Sequence, residues 1–476
     1  MLQSSWLTRA AGLAILIGSS AAAQTAPGPT PTASAASSGA AVPPPPFKPD
    51  RTAENYSYLG DPARRGDWAD GFKFIPLDAE GNSYLSLGGE VRERAEIMHG
   101  PAFGLTAAGD DTYLLQRILF HADLHLGQSV RIFAQLGAHE AIGKRRLGPP
   151  DEDKLDIHQL FIDVTPDKRL RIRLGRQEMA FNPTQRFVSF RDGTNVRQNF
   201  DAGRLTYEHE GLRLEAFLSR PVSIERGFFE NKPNKDQLFA GIYASRAIGV
   251  KKSMSLDAYW FLLERENLLV GNRTGKEHRH SLGLRFAGTS GRWDWDHEAV
   301  LQLGRSVGRE IGAWAGSADL GYTFSSPVKS RLGLRLDAGS GDSSRSDHHY
   351  GSFHPLFPKG PYFNEANVTS WTNLLAIRTS LKLEPARRLT VEGAVQFKWR
   401  ESRDDAVYLG PMTSLAATTG NEKREIGQVY SLDATFQLNR NLTLRAYGLH
   451  HSDGRAIRQA GGQSIDFLMG SATFRF

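Results

Sequence analysis

The chain of 476 residues has no cysteine. That excludes disulfides, thiolate metal centres, cysteine nucleophiles and a lipid anchor built on an N-terminal cysteine. No stretch approaches about 18 consecutive apolar residues, which excludes a helical membrane span. Phosphate-binding and dinucleotide-binding loops are missing, as is a G-x-S-x-G nucleophile elbow. Charge of one sign is scarce as well, with 58 Lys and Arg against 52 Asp and Glu. So small a surplus over this length gives no reason to expect nucleic acid as a partner.

What is present begins with an address. Arg9 precedes the apolar run Ala10–Ile17, and Ala21, Ala22 and Ala23 supply small residues for cleavage before Gln24. One positive charge, a short apolar core and a small-x-small site read as a secretory signal peptide over residues 1–23. Residues 24–50 are rich in Ala, Pro, Ser, Thr and Gly and end near Pro43–Pro46. Such a composition cannot bury enough apolar surface to offset ordering entropy, so a disordered lead-in is expected.

From Ser83 onward the pattern has period two. Leu85, Leu87, Gly89, Val91, Ala95 and Ile97 alternate with Ser86, Gly88, Glu90, Arg92, Arg94 and Glu96. Leu332, Leu334 and Leu336 alternate with Arg331, Gly333, Arg335 and Asp337. Alternation of this kind puts each set on one face of a pleated strand, whereas a helix would scatter the charges around its circumference. Runs separated by turn residues give about eighteen strands between residues 84 and 476, with short connections alternating with long ones. Most runs reach ten residues or more. Soluble strands average about five or six residues and membrane strands about 9–11. The sequence therefore predicts an all-β fold, a transmembrane antiparallel β-barrel over residues 83–476 with apolar residues facing lipid and polar ones lining the lumen. Residues 51–82 form an N-terminal segment expected to pack at the barrel's periplasmic end. The closing run puts Leu468, Gly470, Ala472, Phe474 and Phe476 on one face and ends in phenylalanine. It resembles the assembly signal of bacterial outer-membrane barrels, so outer-membrane lipid and the barrel assembly machinery are the expected partners.

Charge placement is uneven. Ten Lys and Arg fall between Lys168 and Arg213 against five Asp and Glu. Arg171 and Arg173 alternate with Leu170, Ile172 and Leu174 and so belong to the lumenal face, while Arg186, Arg191 and Arg197 fall in a turn-rich stretch. These arginines either neutralise lumenal acids or form a positive constriction, in which low-dielectric walls favour an anionic solute. The guanidinium fork suits a carboxylate because it holds both oxygens.

Three stretches carry a family resemblance: Leu174–Glu178, Arg186–Asn195 and Arg197–Asp201. With Tyr84–Arg94 and Phe353–Gly360 they resemble the signature of the alginate-export family of outer-membrane porins. The resemblance runs from about Tyr56 to Phe476. It implies a monomeric eighteen-stranded barrel whose arginine-rich pore passes an anionic uronate polymer by passive diffusion. Arg92, Arg94, Arg176, Arg186, Arg191, Arg197 and Arg204 match the family's basic positions, with Asp192 and Asp201 as implied charge partners, joined by Glu90. A general diffusion porin without a specific substrate is the alternative.

The remaining polar clusters do not require other chemistry. His121, Asp123 and His125 share one strand face, yet the polar face of a porin strand accounts for them without catalysis. Asp151, Asp153 and Asp156 in one loop, and Asp342 and Asp347 in another, could recruit calcium through oxygen ligands, but neither follows EF-hand spacing. The pairs His348–His349 and His450–His451 read as loop residues. No enzyme, no cofactor and no metal centre is expected. A plug of only some thirty residues disfavours a transporter driven from the inner membrane.

Overall fold

The computed structural model describes residues 44–476 except 271, 272 and 345. The expected signal peptide, and the lead-in up to residue 43, lie outside the described residues. Eighteen long strands follow one another: β1 Tyr84–His99, β2 Asp111–Leu126, β3 Val130–Ile142, β4 Asp153–Asp167, β5 Leu170–Gln177 and β6 Phe200–His209. Then come β7 Leu212–Ser223, β8 Gln237–Ile248, β9 Met254–Val270, β10 Arg273–Ser290, β11 Trp293–Ser306 and β12 Arg309–Thr323. The ring is completed by β13 Arg331–Gly339, β14 Leu374–Ala386, β15 Leu389–Trp399, β16 Glu425–Gln437, β17 Leu442–His451 and β18 Ile465–Arg475. Each strand pairs antiparallel with its neighbour, and β18 returns to β1, with Glu90 opposite Arg475 and Arg94 opposite Ser471. Closure leaves no unpaired edge, which is what a sheet in lipid requires.

Turns at one end are tight. Between β6 and β7 only Glu210 and Gly211 intervene, with φ of 47° and 85°. Two consecutive left-handed residues are what a two-residue hairpin of matching twist demands. Long connections gather at the other end: residues 178–199, 340–373 and 400–424 are the longest.

The faces follow the alternation. Leu332, Leu334 and Leu336 are exposed on the outside, and Leu332 and Leu336 stand opposite Leu381 and Ile377 of β14. Trp260 and Trp314 lie on the loop side of this apolar face, and Trp293, Tyr322 and Phe324 at its turn side. Trp314 and Tyr322 are eight residues apart on β12. At ~3.3 Å per residue and a tilt near 40° that spacing spans about 20 Å along the membrane normal, close to the expected apolar height.

The lumen departs from the expectation of a polar lining. On β7, β8 and β9 the inward residues Phe217, Phe239, Tyr259 and Phe261 are buried aromatics. They pack with Phe181 and Phe187 of the 178–199 connection and with Phe353, Phe357 and Trp371 of the 340–373 connection. Ring centroids of Phe239 and Phe357 lie 4.9 Å apart, and those of Phe187 and Trp371 lie 5.0 Å apart. Two long loops folded into a barrel need an apolar partner, and aromatic faces on one half of the wall supply it.

At the turn end, chain from Pro45 onward packs against the mouth. Arg51 donates from Nη1 to the Gly89 carbonyl (2.9 Å) and from Nη2 to the Phe476 carbonyl (2.8 Å), spanning the β1–β18 seam. Arg131 of β3 donates to the Thr52 carbonyl at 2.9 Å, and Arg440 pairs with Asp67 at 3.0 Å. Ordered contacts thus begin before residue 51, because Phe47 lies under the Arg51 and Arg440 guanidinium groups.

The facing rule is testable in a chain without native cysteine. A membrane-impermeant maleimide should label Ser380→Cys on the lumenal face of β14 and leave its neighbour Leu381→Cys unlabelled in intact membranes. Leu334→Arg should lower unfolding stability by roughly 2–4 kcal/mol if it lies near the midplane. The opposite labelling pattern would put the register off by one residue.

Candidate functional site: the lumenal constriction

Residues 178–199 leave β5, cross the lumen and return to β6. Asn182 starts the crossing with φ of 57°, and its Oδ1 accepts from the Thr184 and Gln185 amides at 2.9 and 2.8 Å. Phe181 and Phe187 hold this part in the aromatic core. Further on, Ser189 N donates to the Phe357 carbonyl (2.9 Å) and Phe357 N to the Phe187 carbonyl (3.0 Å), joining the two inward loops through backbone.

The far part of the loop is clamped to the β1–β3 wall by arginine. Arg117 of β2 donates to the Asp192 carbonyl (2.8 Å) and to Asp192 Oδ1 (2.9 Å). Arg92 donates to the carbonyls of Asp192 (3.0 Å) and Thr194 (2.8 Å), and Arg94 to that of Gly193 (3.0 Å). Asn195 sends its amide to the carbonyls of Gln116, Glu140 and Asp151. Buried loop carbonyls need donors, and leaving one unpaired costs about 1–3 kcal/mol.

Arg197, itself buried, closes the clamp. It contacts Asp192, lies 3.4 Å from Glu178 and 3.6 Å from Glu90, and donates to the Pro49 carbonyl at 3.1 Å. Burial alone would push the Asp192 carboxyl up, but Arg197 and Arg117 hold it well below the usual carboxylate range. Glu178 goes the other way: burial pushes it up to about 8 in spite of Arg197.

The predicted basic residues fall at separate places on the wall and loop. Arg92, Arg94 and Arg197 meet at Asp192–Thr194 as described. Arg171, Arg173 and Arg204 line the β5–β6 wall, where Arg173 pairs with Asp163 at 2.6 Å and Arg204 contacts Glu215. Near the loop end of β5, Arg176 pairs with Asp201 at 2.8 Å. Arg186 reaches the opposite wall, at 2.7 Å from Asp296 and 3.0 Å from Glu298 of β11. Glu90, buried on β1, takes Arg117 (2.5 Å) and Arg475 (2.7 Å). Among the described residues, Arg92, Arg171 and Arg191 have no carboxylate at ion-pair distance. Of the aspartates able to recruit calcium, Asp151 pairs with Lys144, Asp342 and Asp347 with Arg309, and Asp156, which stands on β4 and not in a loop, with Arg176, while Asp153 at the start of β4 accepts from the Asn231 side-chain amide at 2.7 Å.

Two cavities lie along the remaining path. A vestibule of about 560 Å³ on the loop side is bordered by Arg94, Lys144, Arg145 and Arg146, and a lumenal cavity of about 290 Å³ by Arg331, Arg335, Arg378 and Arg445. Each has as many acids as bases on its wall, with Glu96, Asp111, Asp151 and Glu365 in the first and Asp319, Glu365, Glu392 and Asp433 in the second. Pro361 and Glu365 border both cavities and so mark the junction. Glu365 is held between Arg94 (3.1 Å) and Arg445 (2.7 Å). Sequence reasoning missed Arg117, Glu365 and Arg445. Strand parity could have flagged the two arginines, which alternate with lipid-facing Ile118 and Leu444, but nothing in the sequence marks a glutamate in a long loop.

Glu178 gives a pH prediction. Its carboxyl lies 2.7 Å from His158 Nε2, beside Arg197 and within the field of Asp50 and Asp192. The folded-state value lies above the ordinary 4.5, so this contribution to stability is complete below that value and is lost as pH rises through about 8. The thermal transition, followed by heat-modifiable gel mobility, should fall over that range, and Glu178→Gln should flatten the fall.

A family model described as alginate export matches residues 83–471. Comparison with curated proteins gives no match. Among solved structures, the chain is similar to a BenF-like porin from Pseudomonas fluorescens Pf-5, with a TM-score of 0.56 at 12% identity over 82% of this chain and 99% of that one. It is similar to OccAB1 of Acinetobacter baumannii, with a TM-score of 0.55 at 10% identity over 86% and 99%. Pseudomonas aeruginosa OccK2 (OpdF), solved in complex with glucuronate, gives 0.53 at 12% identity over 82% and 98%. At such identities the likeness shows the fold, that of outer-membrane porins. With the match over most of its length, the chain belongs to the alginate-export family and is a β-barrel channel of the bacterial outer membrane.

Proposed function

We propose that the channel is anion-selective and passes an acidic polysaccharide, alginate or related uronate oligomers, by passive diffusion as a monomer. The carrying observation is the cationic surplus beside the junction. Arg92, and Lys359 next to Gly360 on the vestibule wall, have no carboxylate at ion-pair distance among the described residues, while Glu365 is already held by two arginines. Burial lowers the Lys359 amine, with Asp192 and Glu365 opposing that shift. One unpaired charge about 8 Å from a permeating anion, at an effective dielectric near 20, contributes about 2 kcal/mol before salt screening. That is enough to bias anions over cations by roughly an order of magnitude. The alginate-export match and the glucuronate bound to one structural neighbour support a uronate as the solute.

A general diffusion porin is the second reading, favoured by the equal numbers of acids and bases on both cavity walls. For assembly, the β18 strand running to Phe476 is the segment offered to the barrel assembly machinery.

Reversal potentials in planar bilayers under a KCl gradient decide between the two. The wild type should prefer anions and be blocked by oligouronates but not by neutral oligosaccharides. Arg92→Gln with Lys359→Gln should cut the preference several-fold. A cation-selective wild type would end the polyanion reading.

A further inference from the structure

A third cavity, of about 340 Å³, lies between the constriction loop, the β7–β8 connection and the second inward loop. Its wall joins Arg191 and Gln198 of that loop to Ser223, Asn234 and Gln237 around the β7–β8 connection, to Arg265 of β9 and to His354 of the second inward loop. Unlike the other two cavities it has no aspartate or glutamate on its wall. Arg265 and Arg197, which also border it, are answered from outside by Glu277 (2.8 Å) and Asp192. Among the described residues the Arg191 guanidinium has no carboxylate at ion-pair distance, and its hydrogen bond runs from Nε to the Pro358 carbonyl at 3.3 Å. Burial pulls its guanidinium down to about 10, which still leaves it charged at neutral pH.

The backbone is arranged to hold that side chain there. Arg191 sits at φ 58°, a left-handed conformation that side-chain-bearing residues adopt at a cost. The conformation is kept by the Arg191 amide donating to Ser189 Oγ (2.9 Å) and by Thr194 N donating to the Arg191 carbonyl (3.0 Å). His354 adds a neutral donor. Its Nδ1 accepts from the Leu356 amide at 3.0 Å, which puts the ring hydrogen on Nε2, and burial keeps its pKa well below the ordinary range. Val222, Leu263 and Phe357 give the remaining wall an apolar character.

We infer that this cavity is a binding site for a compact, hydroxylated monocarboxylate of single-sugar size. Arg191 meets the carboxylate, the side-chain amides and Ser223 meet hydroxyls, and the apolar wall disfavours a fully hydrated inorganic anion. A bound carboxylate would tie the constriction loop to β7, β8, β9 and the second inward loop at once. The site stands whether or not the axial path prefers anions, so reversal potentials and ligand binding test separate statements.

The test is isothermal titration of the full-length protein in detergent with galacturonate, with galactose and phosphate as controls. Galacturonate should bind saturably at one site, and galactose and phosphate should bind at least tenfold more weakly. Arg191→Gln should weaken galacturonate tenfold or more, and Val222→Trp, which fills the cavity and keeps every charge, should do the same. Arg378→Gln, on the wall of the lumenal cavity and without a bond to the constriction loop, should leave the affinity within twofold. Heat-modifiable mobility identifies the variants that fold. No saturable binding to the wild type, or full affinity in folded Val222→Trp, would overturn the site. So would loss of binding in Arg378→Gln, which would put the ligand in the lumenal cavity, and phosphate binding as tightly as galacturonate would overturn the ligand class.

Discussion

A backbone segment that enters a barrel lumen brings carbonyl groups with it, and each must find a donor that the β-ladder cannot supply. Here the donors are guanidinium groups on the first two strands. Arg92, Arg94 and Arg117 take the carbonyls of Asp192, Gly193 and Thr194, and Arg197 pairs with the Asp192 side chain from within the loop. The course of the constriction loop, the position of the junction and the division of the lumen into separate cavities all depend on this clamp.

The clamp also decides what the arginines are for. A cluster of basic residues in a pore is easily taken as a field for anions, but most of these guanidinium groups are spent on carboxylates or carbonyls. Arg173, Arg176, Arg186 and Arg204 each have an acid within ion-pair distance. Breaking such a buried pair leaves an uncompensated charge and costs more than the pair contributes. Among the described residues, Arg92 and Lys359 beside the junction, Arg191 behind it and Arg171 on the β5–β6 wall are left without a carboxylate at ion-pair distance, and the proposed anion preference rests on cations of this kind.

Strands were legible in the sequence because each obeys one rule over ten or more residues. The Leu332, Leu334, Leu336 series could face only one side, and the eighteen runs read from alternation match the eighteen strands. Where both faces are apolar, as on β9 with Trp260 outside and Phe261 inside, the rule still gave a strand but not the contents of the lumen. The aromatic core was hidden because its members come from β6 to β9 and from two loops more than a hundred residues apart. Of the candidate site, the basic positions were legible from parity and from the family resemblance. Their partners were not, since Arg186 meeting Asp296, or Arg94 meeting Glu365, depends on where long loops fold.

The central claim is that the two inward loops meet across the lumen at Gly193 and Pro361. A Cβ placed on Gly193 would lie 3.4 Å from the Pro361 Cβ, close to the ~3.5–4.5 Å usual across a disulfide. The chain has no cysteine to confuse the result. The measurement is free-thiol titration of Gly193→Cys/Pro361→Cys in native membranes under mild oxidation. The account predicts that both thiols disappear together without added cross-linker. Two thiols that stay reactive in a folded barrel would show that the loops do not meet, and the constriction described here would not exist.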